Sequence, residues 1–198
     1  MALIAEEIVE EWLNRQGFFT IRGIKLGNDE IDLLAVKLGQ DGVVECRHIE
    51  VQASIRPVSY ISRVPKEIQK IENRAANSAS RSDSDLIKGV EEWVYKKFKS
   101  EKKEALRRKL YPGNWSSELV LNNVKKVGKD KVEKEVALIE GQGIKIIRLQ
   151  KIIDALATTD IKKFPVKSAA GADLIDLILM GAGAKLKVPE LSEITVQF

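Results

Sequence analysis

The sequence predicts an α/β domain: one helix, a three-stranded antiparallel meander, then alternating helices and strands that form a mixed sheet flanked by helices. Three observations predict it. Apolar residues at helical spacing open the chain, with Leu3, Ile4, Ile8, Trp12 and Leu13 separated by glutamates and Gly17 placed as a stop. Strand-like runs follow at residues 18–22, 30–38 and 43–53, divided by the turn formers Gly27-Asn28-Asp29 and Gly39-Gln40-Asp41-Gly42. Beyond residue 66 helical and strand patterns alternate, an order that covers a sheet on both faces. A chain of 198 residues, 44% of them hydrophobic, is long enough for one such core and an appendage.

After the meander, Pro57, Pro65 and several serines mark a loop, and a helix is expected over residues 66–77. The polar stretch 78–84 leads into a second helix that begins near Leu86, with Ser84 or Asp85 as its cap. It reads as one long helix. Leu86, Val90, Trp93, Val94 and Phe98 give it an apolar stripe, its second half carries Lys96, Lys97, Lys99, Lys102, Lys103, Arg107, Arg108 and Lys109, and Pro112-Gly113 ends it. A strand over Leu119, Val120 and Leu121 with Val124, a helix over 129–140, a strand over 144–148 and a short helix over 151–157 complete a core domain of residues 1–157. Residues 158–198 read as a small appendage: a linker at 162–165, an apolar helix at 172–180, and Ile194, Val196 and Phe198 alternating as in an edge strand.

Composition narrows the function. A formal net charge of +4 permits attraction to polyanions without demanding it. The lone Cys46 cannot form an intrachain disulfide and the lone His48 leaves no ligand set for structural zinc, so a reducing, cytoplasmic setting is expected. The first residues turn acidic at Glu6 and Glu7, unlike a signal peptide, and Asp176 interrupts the most apolar later stretch, so neither export nor a membrane span is expected. A serine hydrolase lacks its Gly-x-Ser-x-Gly turn, and Gly141-Gln142-Gly143 lacks the lysine of a phosphate loop.

Chemistry concentrates at residues 47–53. Alternation along this strand puts His48, Glu50 and Gln52 on one face and Ile49, Val51 and Ala53 on the other. Glu6 on the first helix, Asp32 on the second strand and Glu50 on the third can be brought together. Asp32 lies among Ile31, Leu33 and Leu34, where an unpaired carboxylate costs several kcal/mol. A divalent cation would remove that cost, and carboxylate oxygens with open water positions suit Mg2+, with Mn2+ as a substitute.

The runs Ala5-Glu6-Glu7 through Gly17-Phe18-Phe19-Thr20-Ile21-Arg22, then Glu30-Ile31-Asp32-Leu33-Leu34-Ala35, then Ile49-Glu50-Val51-Gln52 resemble the PD-(D/E)xK, restriction-endonuclease-like nuclease superfamily. Within it these N-terminal motifs are most similar to archaeal Holliday-junction resolvases. The resemblance covers roughly the first quarter of the chain. It implies a restriction-endonuclease-like core in which Glu6, Asp32 and Glu50 bind the metal and the protein hydrolyses DNA phosphodiester bonds in branched or duplex DNA, often as a homodimer. It also implies a lysine two residues after the last acid, to orient and activate the attacking water. Gln52 stands there instead, offering a dipole where the motif has a full charge. The replacement cation is open among Lys37, Arg22, Lys66 and Lys70, with His48 as a further contributor.

Plainer readings stand beside these. Glu7 or Glu10 could take the place of Glu6, Asp32 could pair with an arginine, and Glu50 could form a cross-strand pair with Lys37. Lys96, Lys97, Lys99, Lys103, Arg107 and Arg108 form either a solvated helix face or a surface that tracks DNA phosphates. The competing function is a catalytically weak or inactive member of the same fold, serving as a DNA-binding or protein-assembly module.

Overall fold

Where the first helix ends decides how the sheet begins. The computed structural model describes residues 2–53, 59–122 and 129–158. Helix α1 (Ala2–Arg15) turns Ala5, Ile8, Val9 and Leu13 inward. Gly17, at φ +85°, closes it: the Gly17 N–H meets the Asn14 carbonyl and the Phe18 N–H the Leu13 carbonyl, a cap that needs the left-handed conformation glycine adopts freely. The chain then enters β1 (Phe19–Leu26), β2 (Asp29–Leu38) and β3 (Val44–Gln52), the antiparallel meander expected from the sequence. Strand β4 (Trp115–Leu121) lies parallel to β3, and β5 (Lys145–Arg148) parallel to β4. The result is one mixed sheet in the order β1-β2-β3-β4-β5.

Helices cover both faces, as parallel crossovers require. On one face α1 and α6 (Leu149–Thr158) pack over Leu33, Ala35, Ile49, Val51 and Val120. On the other, α3 (Asp83–Val94) and α5 (Lys129–Gly141) pack over Leu119, Leu121 and Ile144, with Phe98 buried among them. The strand alternation assigned from sequence holds: Ile49 and Val51 face α1, while Glu50 and Gln52 share a face with their register partners Leu119 and Leu121. Among the described residues no helix is long and apolar enough to cross a membrane.

Four expectations are corrected. The helix expected over 66–77 stops early, as α2 (Lys66–Ile71), and Asn73 turns to φ +49° just beyond it. The cap of α3 is Ser82, not Ser84 or Asp85: the Ser82 hydroxyl accepts the Asp85 N–H and the Asp85 carboxylate accepts the Ser82 N–H, a capping box. The last helix begins at Leu149 rather than 151. Most consequentially, the long basic helix is three pieces. After α3 comes a single π turn (Tyr95–Lys99), then Ser100 with extended backbone, then α4 (Glu101–Leu110). The break has a local cause. Carbonyls at the end of the π turn would lack helical donors, and α4 supplies them from side chains: Lys103 Nζ donates to the Lys97 carbonyl at 2.8 Å and Arg107 to the Phe98 carbonyl at 2.9 Å. The appendage at 158–198 and the position of Val124 lie outside the described residues, apart from the backbone of Thr158.

Candidate active site

Strand β3 carries the polar face the sequence indicated. His48 and Glu50 are both buried, at 0% and 1% exposure, and Gln52 is half-buried. Strand β2 pairs with β3 as far as Leu33 opposite Ile49, so Asp32 comes one step beyond, beside Glu50. There the Asp32 Oδ2 accepts the Val51 N–H at 2.8 Å, a side-chain carboxylate taking a backbone donor of the neighbouring strand. On the other side of β2 the register skips Gly23, the residue facing Asp32 between the pairs Arg22–Leu33 and Ile24–Ile31. Its φ of +66° relieves the ladder at the position where a carboxylate must be accommodated.

Glu50 is the hub. Its Oε2 meets Lys97 Nζ at 2.6 Å and its Oε1 meets Lys103 Nζ at 2.8 Å and His48 Nε2 at 3.1 Å. Behind it Arg107 donates to His48 Nδ1 at 3.1 Å, which makes Nδ1 the acceptor and leaves the ring proton on Nε2, facing Glu50. Burial works against a charge on Glu50, but the hydrogen bond from His48 and the two ammonium groups outweigh it and hold the pKa at about 2. Burial also depresses the His48 imidazole, with Arg107 and Lys103 beside it, so the ring is neutral at pH 7.

Asp32 behaves oppositely. Burial and the Glu50 charge push its carboxyl up to about 6, against the opposing effect of Lys97 and the Val51 N–H. Glu6 is raised as well, by burial first, and it feels the charges of Arg22, Glu30, Lys97 and Glu50. Lys97 feels Glu50, Asp32 and Glu30, which raise its ammonium against the effect of burial. Glu6, Asp32, Glu50 and Lys97 therefore share one electrostatic neighbourhood. The alternatives on α1 are otherwise engaged, Glu7 and Glu10 with Arg22 at 3.2 and 3.5 Å, and the Thr20 hydroxyl with Glu10.

Among the described residues, none of the cations nominated from the sequence reaches Glu50, and of the side chains named with them only the neutral His48 ring does. Arg22 serves α1, Lys37 lies over the Phe18 ring and opposite Glu45 in register, and Lys66 and Lys70 are exposed on α2. Among the described residues neither the proposed Glu50–Lys37 pair nor an Asp32–arginine pair forms. Lys97 and Lys103 take these places, and Lys97 flanks the apolar stripe through Val90, Val94 and Phe98, a position that brings it toward the sheet. The basic face is corrected accordingly. Lys103 and Arg107 are buried and unable to meet DNA, Lys97 is committed to Glu50, and Lys96, Lys99 and Arg108 remain exposed, Lys99 bonded to Gln142 at 3.3 Å.

Gln52 is tied sideways. Its Nε2 donates to the Ile61 carbonyl at 3.3 Å, in the loop that follows β3. A carbonyl only accepts, so the amide orientation is determined, and Oε1 is the end left without a partner among the described residues.

As donors for a metal, Glu6, Asp32 and Glu50 supply only carboxylate oxygens, suited to a hard cation, and the elevated Asp32 carboxyl marks a point where added positive charge is favourable. As placed, no three acidic, histidine or cysteine side chains among the described residues stand close enough to hold an ion, and Glu50 faces two ammonium groups.

No protein-family model and no curated protein matches the chain. Among solved structures it is similar to the crystal structure of a protein of unknown function, AF1548, at 15% identity over 89% of this chain and 78% of that one, with a TM-score of 0.38.

Proposed function

We propose that the chain is a Mg2+-dependent, PD-(D/E)xK-type endonuclease that hydrolyses DNA phosphodiester bonds, with Lys97 supplying the cation that Gln52 does not. The observation that carries this reading is the Lys97 ammonium, 2.6 Å from Glu50 Oε2 and within the field of Asp32. Asp32 and Glu50 would hold Mg2+ or Mn2+, with Glu6 acting directly or through water. The metal would supply the Lewis acid that lowers the pKa of a bound water and balances charge on the phosphate. Lys97 adds a preorganised positive charge where the pentavalent phosphate becomes more negative. Gln52 Oε1 would accept a hydrogen bond from the nucleophilic water and so aim its lone pair. Exposed Lys96 and Lys99 of the π turn and Lys102, Arg108 and Lys109 of α4 follow the phosphate backbone, giving salt-dependent, sequence-independent affinity. A cytoplasmic homodimer acting on branched or duplex DNA accords with this activity.

Incubating the protein with branched, nicked and duplex DNA in Mg2+ or Mn2+ tests the reading, which fails if nothing is cut or if Asp32→Ala cuts as well as the parent. One observation favours the second reading, a DNA-binding or assembly module: Glu50 is already neutralised by Lys97 and Lys103 without any metal. Calorimetric titration separates the two, since a module of that kind retards DNA while taking up no divalent ion at millimolar concentration.

A further inference from the structure

Gln52 owes its orientation to a residue far along the chain. Ile61, whose carbonyl holds the Gln52 amide, belongs to a loop pinned by the buried Glu135 of α5. The Glu135 Oε2 accepts the Ile61 N–H at 2.5 Å, and Oε1 accepts the Ser62 N–H at 2.6 Å and the Ser62 hydroxyl. Three donors therefore converge on one carboxylate that is 0% exposed. Arg81 completes the cluster from outside, donating to the Ser62 carbonyl at 3.1 Å and to its hydroxyl at 3.3 Å while stacking on the Tyr60 ring. On the far side Gly89 of α3 lets the loop come in close, since a Cβ there would lie 2.6 Å from the Arg63 carbonyl. A buried carboxylate is an expensive way to fasten a loop unless the loop must be placed accurately.

We infer that Glu135 is a positioning residue for Gln52: by fixing the Ile61 peptide it directs the amide donor away from the reacting centre and turns Oε1 toward the attacking water. The inference rests on the nuclease reading for its consequence, but not for its geometry. The Ile61–Ser62 peptide is gripped at the Ser62 N–H by Glu135 Oε1 and presents the Ile61 carbonyl to Gln52, while the preceding peptide is held through the Ile61 N–H by Glu135 Oε2. Loss of the grip frees the loop and lets the amide rotate, with no change at Asp32, Glu50 or Lys97.

Two measurements test it. The side-chain NH2 resonances of Gln52, assigned as the pair lost in Gln52→Ala, should move toward random-coil positions in Glu135→Gln, and to a smaller extent in the milder Arg81→Lys, which drops the bonds to Ser62 and keeps Glu135. Unmoved resonances in either folded variant overturn the inference whether or not the protein cuts DNA. Under saturating DNA, Glu135→Gln should lower kcat about tenfold or more with little change in KM, and should lower it no further in a Gln52→Ala background. Equal losses in both backgrounds would show a general structural role and overturn the inference. Absence of cleavage in the parent sinks the nuclease reading alone, because the resonance measurement still decides the geometry.

Discussion

Replacing Asp32 with asparagine should stabilise the metal-free protein at neutral pH while removing its chemistry. The Asp32 carboxyl is pushed from 3.8 up to about 6 in the folded state, so between those values the folded protein binds a proton that the unfolded chain releases. Stability held by the protonated form is fully present below the unfolded pKa and is lost as pH rises through 6. A rise of about two units corresponds to at most about 3 kcal/mol at pH 8. Asparagine resembles the protonated acid, keeps an oxygen for the Val51 N–H, and escapes the loss. Urea unfolding of both proteins from pH 4.5 to 8.5 should show a gap in favour of Asp32→Asn that opens with pH and levels off above 7. Saturating Mg2+ should then narrow it by stabilising only the parent. A variant no more stable than the parent at pH 8, or a gap independent of pH, would refute the idea that Asp32 waits for a cation.

Lys97→Met should slow DNA cleavage by about 10² to 10³, the usual effect of deleting one preorganised donor, and adding Gln52→Lys should recover part of it; a double variant as slow as Lys97→Met would show that the site needs more than a nearby charge. Lys103→Met breaks a buried pair in which both partners are 1% exposed, and because Lys97 and His48 still hold Glu50 the cost should be about 3 kcal/mol, seen as a fall in Tm of roughly 10 °C. His48, the single histidine, is neutral when folded and has a depressed pKa, so its contribution is intact above the unfolded value of 6.5 and is lost as pH falls below it. Stability of His48→Gln measured against the parent between pH 5 and 7.5 should lack that acid-side decline.

Local signals carried the fold a long way. Gly17, the hairpin turns at 27–28 and 39–42, and the alternation of Ile49, Glu50, Val51 and Gln52 depend on neighbours in sequence, and the meander follows from them. Asp32 was legible for the same reason, as a charge inside an apolar strand. What the sequence concealed depends on contacts across the chain. A run of lysines and arginines after an apolar stripe reads as a solvated face, and nothing local says that Lys103 and Arg107 turn inward. They do so because Ser100 breaks the helix, and the broken end needs their donors. The one clue was placement: Lys97 lies three residues from Val94 and seven from Val90, on the flank of the stripe that must face the sheet.

Electrostatics explains why the cation can sit on a helix rather than two residues past Glu50 on β3. A phosphate or a carboxylate responds to where positive charge stands in space, and the interaction falls with distance regardless of which segment supplies it. Lys97 sits 2.6 Å from Glu50 and acts on Asp32 from a side chain that is still 34% exposed, so it reaches the site while its stem stays beside solvent. A lysine at 52 would instead have to share its strand position with the Ile61 carbonyl, which now holds an amide. Glutamine there couples the strand to the loop fixed by Glu135, and the ammonium arrives from the π turn. On the proposed nuclease reading, the two tasks a single motif lysine combines, supplying charge and orienting water, would be divided between Lys97 and Gln52, each held by a different part of the fold.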